Sequence, residues 1–306
     1  MTAEHFEQLY VEWSVYAWTT WSLVSAETGN DMLAGELLER PAILGTMLPS
    51  RLLEKGATVT FLLRSTSVFD GDSIIQKYVQ SGHARLLKGD ALVAADTQRA
   101  WDVAGVVDAV IFTVGGYPSF HLLKGFVLTP PNLVTQCFLN VICTMPTQSD
   151  APQPKIIAFS STGVTPAAHA ALPLPLKPLY SILAAAPHRD KVGMERVIAH
   201  CAGWHWDPKA DSEPSVEIMG QGWKERNGLP AAGTLKHALV IRAGLLTDGP
   251  SVADEIAKTG KGKSYRVSEN ELGGYTISRK DAAHFVVDAL TVRWDEFNNK
   301  RVNLTY

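Results

Sequence analysis

Polar residues and glycines stand directly after most of the apolar runs in this 306-residue chain. Serine and threonine hydroxyls can donate to a developing oxyanion, the arginine fork suits phosphate, and glycine allows a backbone to approach a ligand closely. If the fold brings the ends of these runs together, they predict one site for binding or catalysis. The residues are Arg64, Asp90, Gly115, Gly116, Ser160, Ser161, Thr162 and Arg242.

The apolar runs are typical of buried strands, and helical patterns separate them. Strands are predicted over 58–64, 84–88, 106–114, 155–159, 237–241 and 301–304, and helices over 73–80, 96–104, 133–144, 190–201 and 278–290. This alternation predicts an α/β fold, a doubly wound parallel sheet of Rossmann-like type with a small C-terminal substrate region. Right-handed crossovers place the carboxyl ends of all the parallel strands at one edge, so the polar residues should converge there.

The predicted Rossmann-like domain covers residues 41–306 and follows an atypical segment, 1–40. Within the domain, substrate-side insertions are predicted at about 164–189, 203–233 and 250–277. The first strand is the weak point of this scheme. Either 42–47 is that strand and 48–55 the next helix, or one broken helix runs over 32–55 and no first strand exists. The pattern of residues 1–40 predicts a short amphipathic helix that packs on the Rossmann-like domain. A membrane or partner anchor is the alternative, but it requires basic residues on the polar face of the helix, and none are present.

Composition excludes several classes of function. The net charge of −3 does not favour nucleic acid or an anionic membrane, and no apolar run reaches the roughly 20 residues of a membrane helix. The three cysteines are widely spaced, which argues against a disulfide framework or a zinc site, and no metal is predicted. We therefore expect a cytoplasmic protein with a small-molecule substrate and no nucleic-acid or membrane partner; its oligomeric state is open.

Arg64 gives a prediction about a cofactor. It follows a β-branched and apolar run, 58–63, which is continuous enough for a strand buried on both faces. In dinucleotide-binding folds the second strand ends beside the adenosine ribose, where an arginine suits a 2′-phosphate. Arg64 therefore predicts NADP, with NAD possible; a solvated arginine at a strand end is the structural alternative.

Seven segments in order carry a resemblance to a known family. They are TVTFLLRS, LLKGDAL, VVDAVIFTVGG, KIIAFSSTGV, DKVGMERVI, LVIRAGLLTDGP and TISRKDAAHFVVDAL, within about 51–306. Their order resembles the atypical short-chain dehydrogenase/reductase group, which includes NmrA-like NAD(P)-binding proteins. The resemblance implies a Rossmann fold and a nicotinamide cofactor, and it does not specify a substrate.

The resemblance also implies roles for the residues at the cofactor. Asp90 would accept a hydrogen bond from the adenine amino group, and Gly115 and Gly116 would let the backbone approach the cofactor. Ser160 would lie at the cofactor too. Each has a structural alternative, namely a cap for Asp90, a tight turn for the glycines and a loop cap for the serine.

The catalytic residues implied are Ser161 or Thr162, which would orient a substrate carbonyl, and Lys191. Lys191 matches the lysine of the YxxxK motif; it would bind the nicotinamide ribose and, in relatives without the tyrosine, act in proton transfer. Here the tyrosine position is Pro187, and Tyr180 could reach the site only by a loop rearrangement. The structural alternative for Lys191 is a buried lysine paired to Asp190 or Glu195.

The front of the chain departs from the family. A glycine-rich G-x-x-G-x-x-G loop should hold the pyrophosphate, but the matching segment is ILGTMLPSRLLEKG. Within this segment, Gly45 is the only glycine before Gly56, and Pro49 removes a backbone amide from the turn. Either the gene model is wrong at its front or this is a degenerate homologue, and in both cases we expect poor dinucleotide binding.

These observations favour an NADPH-dependent reductase that acts on a small carbonyl or enone compound. The absent tyrosine leaves a second hypothesis, a non-catalytic NAD(P)-sensing regulator of NmrA type. A third is a pseudoenzyme that has lost cofactor binding. Arg242 has two possible roles, structural or pocket-lining. Ser278 and Asp281 have the spacing of a capping box, and that structural role suffices for them.

Overall fold

A computed structural model describes residues 20–26, 44–115, 119–121, 125–146, 152–171 and 185–306. The strands are β1 Thr20–Ala26, β2 Ala57–Leu63, β3 Ala84–Lys88, β4 Ala109–Phe112, β5 Ser119–His121, β6 Gly125–Val127, β7 Lys155–Ser161, β8 Ala238–Ala243, β9 Leu245–Thr247, β10 Arg266–Ser268, β11 Thr276–Ser278 and β12 Lys300–Thr305. The helices are α1 Leu44–Glu54, α2 Ser73–Gln80, α3 Ala94–Ala104, α4 Leu133–Cys143, α5 Pro166–Ala171, α6 Ala185–Ala202, α7 Val216–Met219, α8 Val252–Thr259, α9 Arg279–Thr291 and α10 Trp294–Phe297.

Eight strands form the central sheet in the order β10-β12-β8-β7-β4-β1-β2-β3. The pairs β2–β3, β4–β7, β7–β8 and β8–β12 are parallel, while β1 and β10 run antiparallel to their neighbours. Two small sheets, β9–β11 and β5–β6, lie beside it. The predicted α/β doubly wound architecture is therefore confirmed.

Two apolar layers cover the sheet. Helices α3, α4 and α6 pack on one face, where Trp101, Phe138 and Met194 are buried. Helices α1, α9 and α10 cover the other face with residues that include Leu52 and Phe285. Because both faces are covered, the central strands are mostly apolar, and every residue of β8 is buried. Among the described residues, no helix is long and apolar enough to cross a membrane.

The predicted strand over 42–47 is wrong, because α1 occupies Leu44–Glu54. The helix stops where the sequence predicts, since Gly56 has a φ of 84°, in the left-handed region that suits glycine. A different strand, β1 (Thr20–Ala26), lies between β2 and β4, where the first strand was expected. It belongs to residues 1–40, which were predicted to lie outside the Rossmann-like domain. Without β1, the facing backbone groups of β2 and β4 would be buried without partners.

The direction of β1 matters for the site. Ala26 pairs with Ala57 at the amino end of β2, and Thr20 pairs with Leu63 at its carboxyl end. The chain therefore leaves β1 at the edge opposite to the one where the other central strands end. A family-type turn from the first strand directly into a helix at the ligand edge is not formed by the described residues.

Candidate active site

The carboxyl end of β7 and helix α6 meet through one hydrogen bond. Lys191 Nζ donates to Ser161 Oγ at 2.7 Å. Ser161 is the last residue of β7, and Lys191 lies in the second turn of α6. Two of the three residues predicted as catalytic are thus brought together at the edge of the sheet where a doubly wound fold binds its ligands.

Helix α6 is fixed against α4 by the residue before Lys191. The Asp190 carboxylate is fully buried and accepts hydrogen bonds from the amides of Val134 at 2.7 Å and Thr135 at 2.8 Å, in the first turn of α4. Burial raises the pKa of Asp190 to about 6, against the effect of these hydrogen bonds. Asp190 is therefore a cap for α4 and leaves the ammonium of Lys191 to Ser161.

Glycine at position 193 allows this close approach. A Cβ at Gly193 would lie 2.2 Å from Thr135 Oγ1 and 2.6 Å from Ile218 Cγ2. Real Cβ atoms do not come so near to other atoms, so no larger residue fits here without a shift of the helices. The contact of α6 with α4 thus depends on a residue type that the sequence alone did not single out.

One turn beyond Lys191, Glu195 forms a buried ion pair with Arg242. Arg242 Nε donates to Glu195 Oε1 at 3.1 Å, and Nη2 donates to Oε2 at 2.7 Å. Burial would raise the pKa of Glu195, but the Arg242 guanidinium outweighs burial and the pKa is lowered. Arg242 thus has a structural role in holding α6 to β8, which was one of its two predicted roles.

The electrostatic surroundings of Lys191 bring its titration near neutral pH. Burial lowers the pKa of Lys191 to about 8, while the carboxylates of Glu195 and Asp190 act in the opposite direction. In the described part of the chain, neither carboxylate forms a direct ion pair with Lys191; they are bonded to Arg242 and to α4 instead. A proton donor works best when its pKa lies near the working pH, so Lys191 is suited to proton transfer.

His188 is a neighbour of Lys191 that the sequence analysis missed. It lies three residues before Lys191 on α6, and its ring hydrogen-bonds the backbone at Gly163, two residues after Ser161. Burial and the charges of Lys191 and His169 lower the pKa of His188 to about 4, so the ring is neutral at pH 7. The spacing of three residues from Lys191 was the available signal, because it places both side chains on one helix face.

The two hydroxyls beside Ser161 are both buried, and neither Ser160 Oγ nor Thr162 Oγ1 has a hydrogen-bond partner among the described residues. The Ser160 hydroxyl is near enough to Glu195 to contribute to the lowering of its pKa. Thr162 lines a cavity of about 10 Å³ together with Glu271 and Tyr275, which is room for one water molecule. Of the three hydroxyls, Ser161 is the one bonded to Lys191.

The predicted cofactor residues lie at the ends of β2, β3 and β4. Arg64 follows β2, is exposed, and makes no hydrogen bond or ion pair with any residue that the structure describes. Asp90 Oδ1 accepts from the amide of Leu92 at 2.9 Å, which is the turn cap foreseen as its alternative role. Gly116 and Tyr180 lie outside the described residues.

Gly115 has no structural reason to be glycine. Its φ is not among the left-handed values, and a Cβ there would meet no atom within 4 Å. Open space next to a glycine at the end of a central strand fits the close passage of a ligand better than a tight turn does. Gly115, Arg64 and Ser161 stand at or just beyond the carboxyl ends of β4, β2 and β7, at one edge of the sheet. The described residues form no glycine-rich turn at this edge.

Known proteins resemble this chain in sequence and in fold. No protein-family model matches the chain. Reductase pytE of Aspergillus terreus is 28% identical over 208 residues, 66% of this chain and 68% of that protein. The solved structure of ChuY, described as an anaerobillin reductase from Escherichia coli O157:H7, matches with a TM-score of 0.50 and 17% identity, over 86% of this chain and 91% of ChuY. A short-chain dehydrogenase/reductase from Serratia marcescens has a TM-score of 0.49 and 16% identity, over 85% of this chain and 91% of that one. The match to the fungal reductase and the fold shared with ChuY bear out the predicted resemblance.

Proposed function

We propose that this chain, whose sequence and fold resemble those of the atypical short-chain dehydrogenase/reductase group, is an NADPH-dependent reductase of a small carbonyl or enone compound. The hydrogen bond from Lys191 Nζ to Ser161 Oγ, 2.7 Å long, carries the proposal. It places an ammonium group and a hydroxyl in series at the ligand edge of the sheet. The sequence match to a protein named a reductase supports the same activity.

The cofactor would be held at its two ends. Arg64 would bind the 2′-phosphate, since its guanidinium is exposed and unpaired among the described residues at the end of β2. The backbone at Gly115 would pass close to the cofactor, and Lys191 would donate to the nicotinamide ribose as well as to Ser161. NADPH, when bound, supplies the hydride for the reduction. Because the described residues form no glycine-rich turn for the phosphates, we expect binding to be weaker than in relatives that have one.

Ser161 and Lys191 would deliver the proton. Ser161 Oγ–H donates to the carbonyl oxygen of the substrate, and its proton moves to that oxygen as negative charge develops there. At the same time a proton passes from Lys191 Nζ to Ser161 Oγ, so the serine is not left as an alkoxide. The carbonyl becomes an alcohol and Lys191 becomes neutral until solvent reprotonates it. With its pKa lowered to about 8, Lys191 is largely charged at pH 7 and can give up this proton.

The substrate is a small molecule in this proposal, and the reaction takes place in the cytoplasm without nucleic-acid or membrane partners. Thr162, whose buried hydroxyl has no partner among the described residues, would lie beside the substrate carbonyl as a second donor. Asp90, Gly116 and Ser160 remain candidates for contact with the cofactor; the turn cap at Asp90 uses only one of its carboxylate oxygens.

Two measurements test the proposal. Nicotinamide fluorescence should show saturable binding of NADPH by the purified chain, and a panel of aldehydes, ketones and enones should contain at least one compound that is reduced. Lys191→Ala should abolish turnover while Lys258→Ala, a change at an exposed lysine on α8, should not.

Binding without turnover of any compound would favour the NmrA-type sensor, for which Pro187 at the tyrosine position is the supporting observation. Absence of NADPH binding would leave the pseudoenzyme hypothesis.

A further inference from the structure

Helix α6 attaches to two neighbouring strands through charged side chains one turn apart. Lys191 bonds Ser161 on β7, and Glu195 bonds Arg242 on β8. The two strands are paired in parallel with Ser160 opposite Arg242, so the attachments are adjacent in the sheet. Residues four apart share a helix face, and the Glu195 carboxylate is therefore on the side of α6 that carries Lys191.

We infer that Glu195 is a positioning residue whose carboxylate, held by Arg242, keeps Lys191 charged and directed at Ser161. The inference rests on the proposed function, in which Lys191 supplies the proton. Neither Glu195 nor Arg242 would touch substrate or cofactor in this role. Arg242 prevents the carboxylate from turning to Lys191 and forming a direct ion pair, which would remove the ammonium from Ser161.

The surrounding charges support this role. Apart from burial, the Glu195 carboxylate has the largest influence on Lys191, and it raises the lysine pKa. Arg242 holds the pKa of Glu195 below its usual range, so the carboxylate stays ionised while Lys191 titrates. Among the described residues, other charged or titratable groups lie around Lys191 and Glu195: His188 and Asp190 on α6, His169 on α5, Arg242 on β8, Arg301 on β12, Asp211 before α7 and Glu271 in the loop before β11.

Two substitutions should move the titration of Lys191 in opposite directions. Glu195→Gln removes the anion and leaves the Arg242 cation, so the pKa of Lys191 should fall by about 1 pH unit. Arg242→Gln removes the hydrogen-bonded partner of the Glu195 carboxylate and leaves Arg301 Nη1 at 3.9 Å as its remaining cation, so the carboxylate can turn to Lys191 and the same pKa should rise. A merely structural pair would lower activity in both variants without such opposed shifts. Arg196→Gln is the control, because Arg196 is the next residue of α6 and bonds Glu213 at 3.2 Å, and it should leave the pKa unchanged.

The titration can be followed with and without turnover. The pH profile of reduction reports it in an active enzyme. Carbon-13 NMR of lysine labelled at Cε reports it directly in the folded chain, with the Lys191 signal assigned by its loss in Lys191→Arg. If the NMR shifts are opposed but no compound is reduced, the inference stands and the proposed reductase activity fails.

A double variant guards against failure to fold, because each single change removes one half of the buried Glu195–Arg242 ion pair. Glu195→Gln with Arg242→Met removes both charges, and it should lower the pKa of Lys191 by less than Glu195→Gln alone. A Lys191 pKa equal to that of the unmodified chain in both the double variant and Glu195→Gln would overturn the inference.

Discussion

Thr135 donates two hydrogen bonds to Asp190, one to its side chain and one to its backbone. The Thr135 amide donates to the Asp190 carboxylate at 2.8 Å, and the Thr135 hydroxyl donates to the Asp190 carbonyl at 2.6 Å. The pair fixes the start of α4 to the turn of α6 that carries Lys191. The position of the proposed proton donor is thus set by a buried contact that takes no part in the chemistry.

This contact gives a prediction about stability and pH. The folded pKa of Asp190, about 6, lies above its usual value of 3.8. Its protonated form is therefore favoured by folding, and this contribution is complete below about pH 4 and is lost as pH rises to about 6. In Asp190→Asn this pH dependence disappears. The free energy of unfolding of the unmodified chain minus that of the variant should fall by about 3 kcal/mol between pH 4 and pH 7.

Urea unfolding at several pH values measures this difference. Asp248→Asn is a suitable control, since Asp248 is an exposed acid bonded to Arg279 and does not cap a buried helix. A difference between the unmodified chain and Asp190→Asn that stays constant over this pH range would contradict the assignment of Asp190 as a buried acid with a raised pKa.

The close packing at Gly193 predicts a large cost for one added methyl group. Gly193→Ala would place Cβ against Thr135 and Ile218, and overpacking of this kind costs about 1–3 kcal/mol. Gly71→Ala is the matched control, because a Cβ at Gly71 meets nothing within 4 Å and its φ is not in the left-handed region. Chemical denaturation should show a lower midpoint for the first variant only. Equal midpoints would mean that α6 and α4 can separate without cost.

Much of the fold follows from the sequence, because the buried strands are continuous apolar runs and the helices between them are regular. The strands over β2, β3, β7, β8 and β12 lie where they were predicted, as do the main helices. The convergence of Ser161 and Lys191 also follows, because it depends only on strand order and crossover hand.

The missed features are ones that local pattern does not encode. Whether a strand runs parallel or antiparallel depends on where its neighbours lie, so the local pattern of residues does not predict that β1 is reversed. Whether a buried acid caps a helix or pairs with a lysine depends on distances between segments. Asp190 and Glu195 were therefore both candidate partners of Lys191, and their partners are α4 and Arg242 instead.

The proposed proton transfer predicts a pH profile with one falling limb. Reduction requires the charged form of Lys191, whose pKa is lowered to about 8. Activity should be constant below this pH and fall about tenfold for each further pH unit. Ser161→Ala should lower kcat by about 10²–10³, since the hydroxyl between lysine and substrate is lost. Ser81→Ala, at an exposed serine after α2, serves as its control.

Steady-state rates from pH 6 to pH 10 check both expectations. If the falling limb stays at the same pH in Lys191→Arg, whose guanidinium does not titrate in this range, then another group supplies the proton. His188 would not be that group, because its pKa is lowered to about 4 and would place the limb far to the acid side.

Arg64 predicts a choice between the two nicotinamide cofactors. Its guanidinium is exposed at the end of β2, and charge-assisted bonds to a phosphate contribute about 1.5–3 kcal/mol. Arg64→Ala should therefore weaken NADPH binding by about 10- to 100-fold and leave NADH binding unchanged.

Arg85→Ala is the matched control, because Arg85 is exposed on β3 and donates to the Val103 carbonyl instead of facing the ligand edge. Fluorescence titration of both variants with both cofactors measures the ratio. Equal losses for NADPH and NADH would show that Arg64 does not bind the 2′-phosphate.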